Sequence, residues 1–362
     1  MKMQRALLTA GAVGTAFLMA ACQDATAPGV TGPSDGPSYA RSAQAQDRLE
    51  QLFQQASPEV MDLPGTVFAD NDERAGKLVF GIEHMGHARA VQNRLRALGV
   101  DEGDYAIQLT PAIHNVATLR DAFRPTQAGI QINFTQYVCT LGFNVDYGTT
   151  QSFITNSHCT ATQGGVENTE YWQPLKSSHP TSIAIEVQDP TYQKNIPGCS
   201  RGKKCRYSDA SRATYRNGTQ SERGLIAQTT GVNTGSLTVS SSSPTFTVTS
   251  QDASTKTFAT GTVVNKVGRT TGWTQGAVTQ SCVTTNVSGS TIQLICQTFV
   301  QNPQGATVVS GGDSGSGVFR ITGTNAVQLV GLLWGGSSDN KLFVFSPLSQ
   351  VVQELGSFNA VR

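Results

Sequence analysis

The sequence predicts a β-rich domain of sandwich or barrel type that ends in one helix and is preceded by a small α+β unit. Three observations predict it. From about residue 126 onward, short Val/Ile/Thr/Phe runs alternate with Gly, Asn and Ser turns, as many short strands would require. Residues 45–125 carry helix-period apolar spacing, more charge and no cysteine. The one long apolar run lies at the extreme N-terminus, where it reads as an export signal rather than as fold. A chain of 362 residues has room for two or three such units.

In chain order, "MKMQR" is a basic start and "ALLTAGAVGTAFLMA" an apolar core, so residues 1–21 are expected to be a signal peptide. "LMAAC" approximates a bacterial lipobox, with Met19 where that pattern has Leu, Val or Ile. It predicts a lipid anchor at Cys22, and an exported protein that is membrane-anchored or secreted to the periplasm or beyond. Residues 22–44 are rich in Gly, Pro and Ser, a flexible linker.

Within 45–125, "DRLEQLFQQA" (47–56) places Leu49, Leu52 and Phe53 at helical spacing. "LVFGIE" (78–83) reads as a strand. "HARAVQNRLRALGV" has Val91, Leu95 and Leu98 on one helical face, with Gly99 as the stop. "DYAIQLT" alternates Tyr105, Ile107 and Leu109 as a half-buried strand does. His84 and His87 have no carboxylate or cysteine beside them and are expected to be surface residues. At the C-terminus, "SPLSQVVQELG" offers Ser346 as N-cap, Pro347 as first helical residue and Gly356 as stop.

Composition excludes several functions. Net charge is +1, which gives no electrostatic grip on nucleic acid. No apolar run beyond the N-terminus is long enough to span a bilayer, so membrane contact is expected only through Cys22. Beyond Cys22 there are six cysteines, and their spacing favours three local staples: Cys139–Cys159, Cys199–Cys205 and Cys282–Cys296. A metal site is disfavoured, because no CxxC pair exists and His158 and Cys159 are adjacent. No cofactor is expected.

The chemistry is expected at "SGGDSGSG" (310–317), where glycines flank a serine behind an aspartate. A serine hydroxyl needs a base, usually His oriented by a carboxylate. After residue 126 the only histidines are His158 and His179. His158 follows an apolar strand and adjoins a half-cystine, so it is the expected base. Asp209, in "CRYSDASRA", is the expected carboxylate, with Asp146, Asp189 and Asp252 as rivals. No histidine follows Ser314, which excludes the Ser…Asp…His order of α/β-hydrolases.

These ordered motifs, "ITNSHC", "SDAS" and "GDSGS", resemble those of trypsin/chymotrypsin-like serine endopeptidases; "VGRTTGWTQGAV" and "VGLLWGG" resemble their second barrel. The resemblance covers residues 126–362. It implies two six-stranded antiparallel β-barrels with a C-terminal helix, and a cleft between the barrels. It also implies a catalytic His158, Asp209 and Ser314, with the backbone N–H groups of Gly312 and Ser314 as the oxyanion hole. The substrate pocket is expected around Val308, Leu333, Trp334 and Gly335, with no acidic group in 303–311 and with Asp339 able to enter from the other wall. Protein or peptide substrates and a monomeric state are expected. Residues 45–125 are expected to be a pro-region that assists folding or inhibits intramolecularly, with cleavage around Arg124–Ile130, or else a permanent N-terminal accessory domain that spaces the rest from a membrane. The alternative is a catalytically silent lipoprotein of the same fold that acts as a binding or adhesion module.

Overall fold

The computed structural model describes residues 43–113 and 116–362. The signal segment, Cys22 and the linker up to residue 42 lie outside the described residues. The chain divides into two compact units after Ile113, earlier than the 125/126 boundary expected from composition. The reason is Leu119, which is fully buried in the core of the second unit. Its N–H donates to Leu237 O (3.0 Å), and its carbonyl accepts from Gln131 N (2.8 Å).

The N-terminal unit runs α1 (Ala43–Met61), β1 (Thr66–Asp72), β2 (Lys77–Ile82), α2 (Ala88–Ala97) and β3 (Tyr105–Leu109). β1 and β2 form an antiparallel hairpin, and β3 returns parallel to β2. α1 extends past 47–56 in both directions, and β1 is a strand that its weakly apolar sequence did not announce. Leu49, Val60, Phe80, Ile82, Val91 and Leu95 form the core. Gly99, at φ +73°, lets the chain leave α2. Leu109 is exposed instead of facing that core, because it sits at the end of edge strand β3.

The C-terminal unit holds two antiparallel barrels. The segment that builds the first runs β4 (Thr126–Ala128), β5 (Gln131–Phe134), β6 (Tyr137–Thr140), β7 (Phe143–Tyr147), β8 (Thr150–Asn156), β9 (Glu170–Tyr171), β10 (Ala184–Gln188), β11 (Lys204–Arg206) and β12 (Ala210–Tyr215). β7, β8, β12, β10 and β9 pair in that order. β5 pairs with β6, and reciprocal hydrogen bonds between Asn133 and Trp172 (2.8 and 2.9 Å) join β5 to the β9 end. With β6 and β7 as one bent run, six strands close the ring; β4 and β11 serve the second sheet.

The second barrel follows with β13 (Ser221–Ala227), β14 (Thr245–Gln251), β15 (Val263–Gly268), β16 (Gly272–Asn286), β17 (Ile292–Gln301), β18 (Gly317–Ile321), β19 (Ala326–Gly336) and β20 (Leu342–Pro347). β15, β16, β17, β20, β19 and β18 close a ring in which every pair is antiparallel. Three peripheral pairs, β11–β17, β13–β4 and β14–β19, are parallel additions. Val264, Val278, Val300, Val318, Val330, Phe343 and Phe345 fill this barrel.

Helix α3 (Leu348–Leu355) closes the chain and buries Leu348, Val351 and Leu355 in the core shared with the first barrel. Its N-cap is Pro347, not Ser346. Ser346 still belongs to β20, where its hydroxyl donates to Gln297 Oε1 (2.8 Å) and so is taken from capping. Gly356, at φ +82°, ends the helix against the Tyr147 hydroxyl. Three disulfides join Cys139–Cys159, Cys199–Cys205 and Cys282–Cys296. Such crosslinks are the mark of an extracytoplasmic protein. Among the described residues no helix is long and apolar enough to cross a membrane.

Candidate active site

His158 lies just past the end of β8, in a single 3-10 turn (Ser157–Cys159), and Asp209 just before β12. β8 and β12 are paired neighbours, with Asn156 opposite Ala210. The ladder therefore brings the two residues together, and local bonds fix them. Ser157 N and Asn156 Nδ2 both donate to the Asp209 carbonyl (3.0 and 2.8 Å). The Cys139–Cys159 disulfide ties the turn to β6. His158 Nδ1 bonds directly to Asp209 Oδ2. Asp209 is 1% exposed, while the imidazole is 33% exposed, so one face of the ring meets the cleft.

Electrostatics follow from this burial. Desolvation pushes the His158 pKa down, but the charge and hydrogen bond of Asp209 outweigh it, and the net shift is upward from 6.5. For Asp209, burial pushes upward, and the attraction of His158, its hydrogen bonds and Arg206 carry the net shift downward. The pair is a carboxylate facing an imidazole of raised basicity.

The rival aspartates are occupied elsewhere. Asp146 pairs with Arg223. Asp252 accepts from Ser254 and Thr255 N–H in its own turn. Asp189 is buried beneath the His158 turn, accepting from Ser157 Oγ (2.8 Å), Gly164 N (3.0 Å) and Arg206 Nη1 (2.8 Å). Its burial pushes its pKa up to about 6 against those partners. His179 is exposed and contacts Ser178.

Ser314 sits on the loop between β17 and β18, and backbone bonds hold that loop. Thr140 N donates to Ser314 O (2.9 Å), and Thr140 Oγ1 to Gly312 O (2.8 Å). Gly315 N donates to Leu333 O (3.0 Å). Gly312 (φ +95°) and Gly315 (φ +91°) take backbone angles that favour glycine. A Cβ on Gly315 would lie 2.4 Å from Thr140 O and from Thr155 Oγ1. Asp313 N, Gly315 N and Ser316 N all donate within the protein. Among the described residues the N–H groups of Gly312 and Ser314 have no protein acceptor.

Asp313 points away from the cleft and is fully buried. Its carboxylate pairs with Lys266 Nζ (3.1 Å) and accepts from Ser310 N, Thr270 N, Thr271 N and Thr271 Oγ1. Burial pushes the Lys266 pKa down, and Asp313 opposes that. A Cβ on Gly268 would strike Asp313 Oδ1 at 2.5 Å, so only glycine lets this pair close.

His158, Ser314 and Gly312 line one cavity of about 430 Å³ with Phe134, Tyr137 and Gln163. A second, of about 560 Å³, runs from His158 and Gln163 past Trp334, Gly335 and Gly336 to the tip of the β16–β17 hairpin. Trp334 and Gly335 line this second cavity. Val308 and Leu333 do not: both are fully buried among the valines of the second barrel. Their apolar side chains gain more by burial there than by facing an open cleft. Asp339 turns into its own loop, accepting from Ser337 Oγ and Lys341 N, and lines neither cavity. Cys139, His158 and Cys159 bring ligand-type atoms within 4.8 Å of one another. Both sulfurs are spent in a disulfide, so no thiolate is present to hold a metal. Sequence reasoning passed over Tyr192, Gln163, Arg206 and Lys266, all of which brace this site. A buried lysine or arginine has no signature in a single sequence.

No protein-family model and no curated protein matches the chain. Among solved structures it is similar to bacterial chymotrypsin-like serine proteases. A glutamic-acid-specific serine protease described as using a histidine triad in substrate binding is 20% identical, covering 64% of this chain and 99% of that one, at TM-score 0.45. Protease A of Thermobifida fusca is 22% identical, covering 65% and 97%, at TM-score 0.44. A Nocardiopsis protease is 18% identical, covering 65% and 98%, at TM-score 0.43.

Proposed function

We propose that the chain is an extracytoplasmic serine endopeptidase acting through an acyl-enzyme. The observation that carries this reading is a convergence. His158, bonded to a buried Asp209, faces the same cavity as Ser314, beside two backbone N–H groups that have no acceptor among the described residues. In this reading Ser314 Oγ attacks the scissile carbonyl carbon and His158 takes the hydroxyl proton. The carbonyl oxygen, now anionic, is stabilised by Gly312 N–H and Ser314 N–H. Collapse expels the amine, which takes the proton from His158, and leaves Ser314 acylated. Water, deprotonated by His158, then releases the acid. Asp209 keeps the imidazole in its productive tautomer throughout.

The substrate main chain fits as an added strand along Trp334–Gly336, since β18 pairs with β19 only up to Leu332. Gly336 lies so near Val309 that a Cβ there would meet Cγ1 at 2.4 Å. This close wall, with no acidic group in 303–311, favours a small or apolar residue at the scissile position.

Residues 43–113 serve in this reading as a pro-region, and its release point lies near Ile113 and Val116, which are 79% and 76% exposed. Cleavage within 126–130 is unfavourable, because Thr126, Ala128 and Ile130 are buried. Cys22 is its lipid anchor. The test is fluorophosphonate labelling and peptide turnover by wild type and Ser314→Ala, with N-terminal sequencing of the mature chain. Labelling and turnover that vanish in Ser314→Ala are expected. A matured wild type that neither labels nor cleaves would make the chain a silent binding module instead.

A further inference from the structure

The His158–Asp209 contact uses only one carboxylate oxygen; the other is held by groups with no role in the chemistry above. Tyr192 OH donates to Asp209 Oδ1 (2.7 Å), and Gln163 Nε2 donates to the same oxygen (3.1 Å). Gln163 Nε2 also donates to Tyr192 OH (2.8 Å). The three groups close a ring whose polarity has one solution. The amide supplies two hydrogens, the phenol accepts one and gives its own, and the carboxylate accepts both.

The ring is braced on two sides. Arg206 lies over the Tyr192 ring, 5.1 Å from its centroid. Arg206 is itself fixed by Asp189 (2.8 Å), Glu354 (3.0 Å) and the Ala210 carbonyl (2.7 Å). On the other side Gly164 packs so close that a Cβ would meet Tyr192 Cδ2 at 2.6 Å. Gly164 N bonds to Ser157 Oγ and Asp189 Oδ2, which holds Gln163 in place (3.0 Å each). Gln163 also lines both cavities, and Asp209 lines the second with it.

We propose that Tyr192 and Gln163 are positioning residues that hold Asp209 Oδ1, orient Oδ2 toward His158 and set how tightly the imidazole keeps its proton. This rests on the protease reading for its catalytic meaning but not for its measurement. The charged or titratable groups facing Asp209 are His158, Tyr192 and Arg206, with Asp189 and Glu354 behind Arg206. Burial and the Asp209 charge push the Tyr192 pKa well above its ordinary 10, so the phenol stays a donor across the working range. Two donors on Oδ1 draw charge from the carboxylate and weaken its pull on an imidazolium proton. Removing one makes the carboxylate hold that proton to higher pH.

The imidazole of His158 is titrated by nitrogen NMR in full-chain Ser314→Ala, alone and combined with Tyr192→Phe or Gln163→Leu. Each added substitution is expected to raise the midpoint by roughly half a pH unit or more. With Ser314 intact, each is expected to lower kcat about tenfold while KM holds. The two substitutions act on one oxygen, so their effects on the midpoint are expected to be non-additive. An unmoved midpoint in both variants, with only a lower unfolding temperature, would reduce the pair to packing and overturn the proposal. A downward shift would overturn the charge role. Gln163→Leu decides the question should Tyr192→Phe fail to fold. A parent chain without labelling or turnover would defeat the protease reading, while the titration would still judge this one.

Discussion

The two barrels contribute to one cleft by different means. The first holds His158 and Asp209 through side chains: Tyr192, Gln163, Ser157 and a buried Arg206 bound to Asp189 and Glu354. The second holds Ser314 through backbone, glycines in tight contact and one buried pair, Lys266–Asp313. In the proposed reaction the difference matches the task. An imidazole must be turned about its bonds and tuned in proton affinity, which side-chain donors do. An oxyanion needs N–H groups aimed by the main chain, which a braced loop does.

The largest test of this contrast is Ser314→Ala, expected to lower kcat by roughly a millionfold with unfolding temperature little changed, measured by turnover and calorimetry. Retained turnover would move the nucleophile elsewhere. Next come the two buried cations. Lys266→Met strands Asp313, and Arg206→Met strands Asp189 beside Glu354; each is expected to cost about 3–5 kcal/mol in denaturant unfolding. They should part in function: Lys266→Met lowers kcat without moving the His158 titration, whereas Arg206→Met moves it. Identical profiles would erase the distinction between the halves. Gly315→Ala adds a Cβ 2.4 Å from Thr140 O at φ +91°, with an expected loss of about 2 kcal/mol or more read from the denaturation midpoint.

The smallest effect is in pH. Because His158 is raised above 6.5 and must be neutral to accept a proton, the acid limb of kcat/KM should fall above 6.5. Stability from the same pair runs the opposite way with pH. The favourable His158–Asp209 charge pairing is complete below the unfolded pKa and is lost as pH rises through the folded one. A limb below 6.5 would contradict the pairing.

Much of this was legible in the sequence because chemistry or periodicity forced it. "GDSGS" needs its glycines, a lone histidine beside a half-cystine had few rivals, and strands such as Val263–Gly268 or Leu342–Pro347 carry β-type residues between turn signals. What stayed hidden depends on three dimensions. The resemblance puts Val308 and Leu333 in the substrate pocket, yet both side chains are buried in the core of the second barrel. Ser346 has the composition of an N-cap, but Gln297, 49 residues away, captures its hydroxyl. Tyr192 reaches Asp209 across 17 residues and Gln163 across 46, and neither spacing advertises itself.

Lys266 has a further consequence. The counter-ion of Asp313 comes from β15, a strand of the same barrel. The loop bearing Ser314 is therefore finished when that barrel closes. An ammonium group freed elsewhere in the chain would meet a carboxylate already neutralised by Lys266, so the brace of this loop is drawn from within its own barrel.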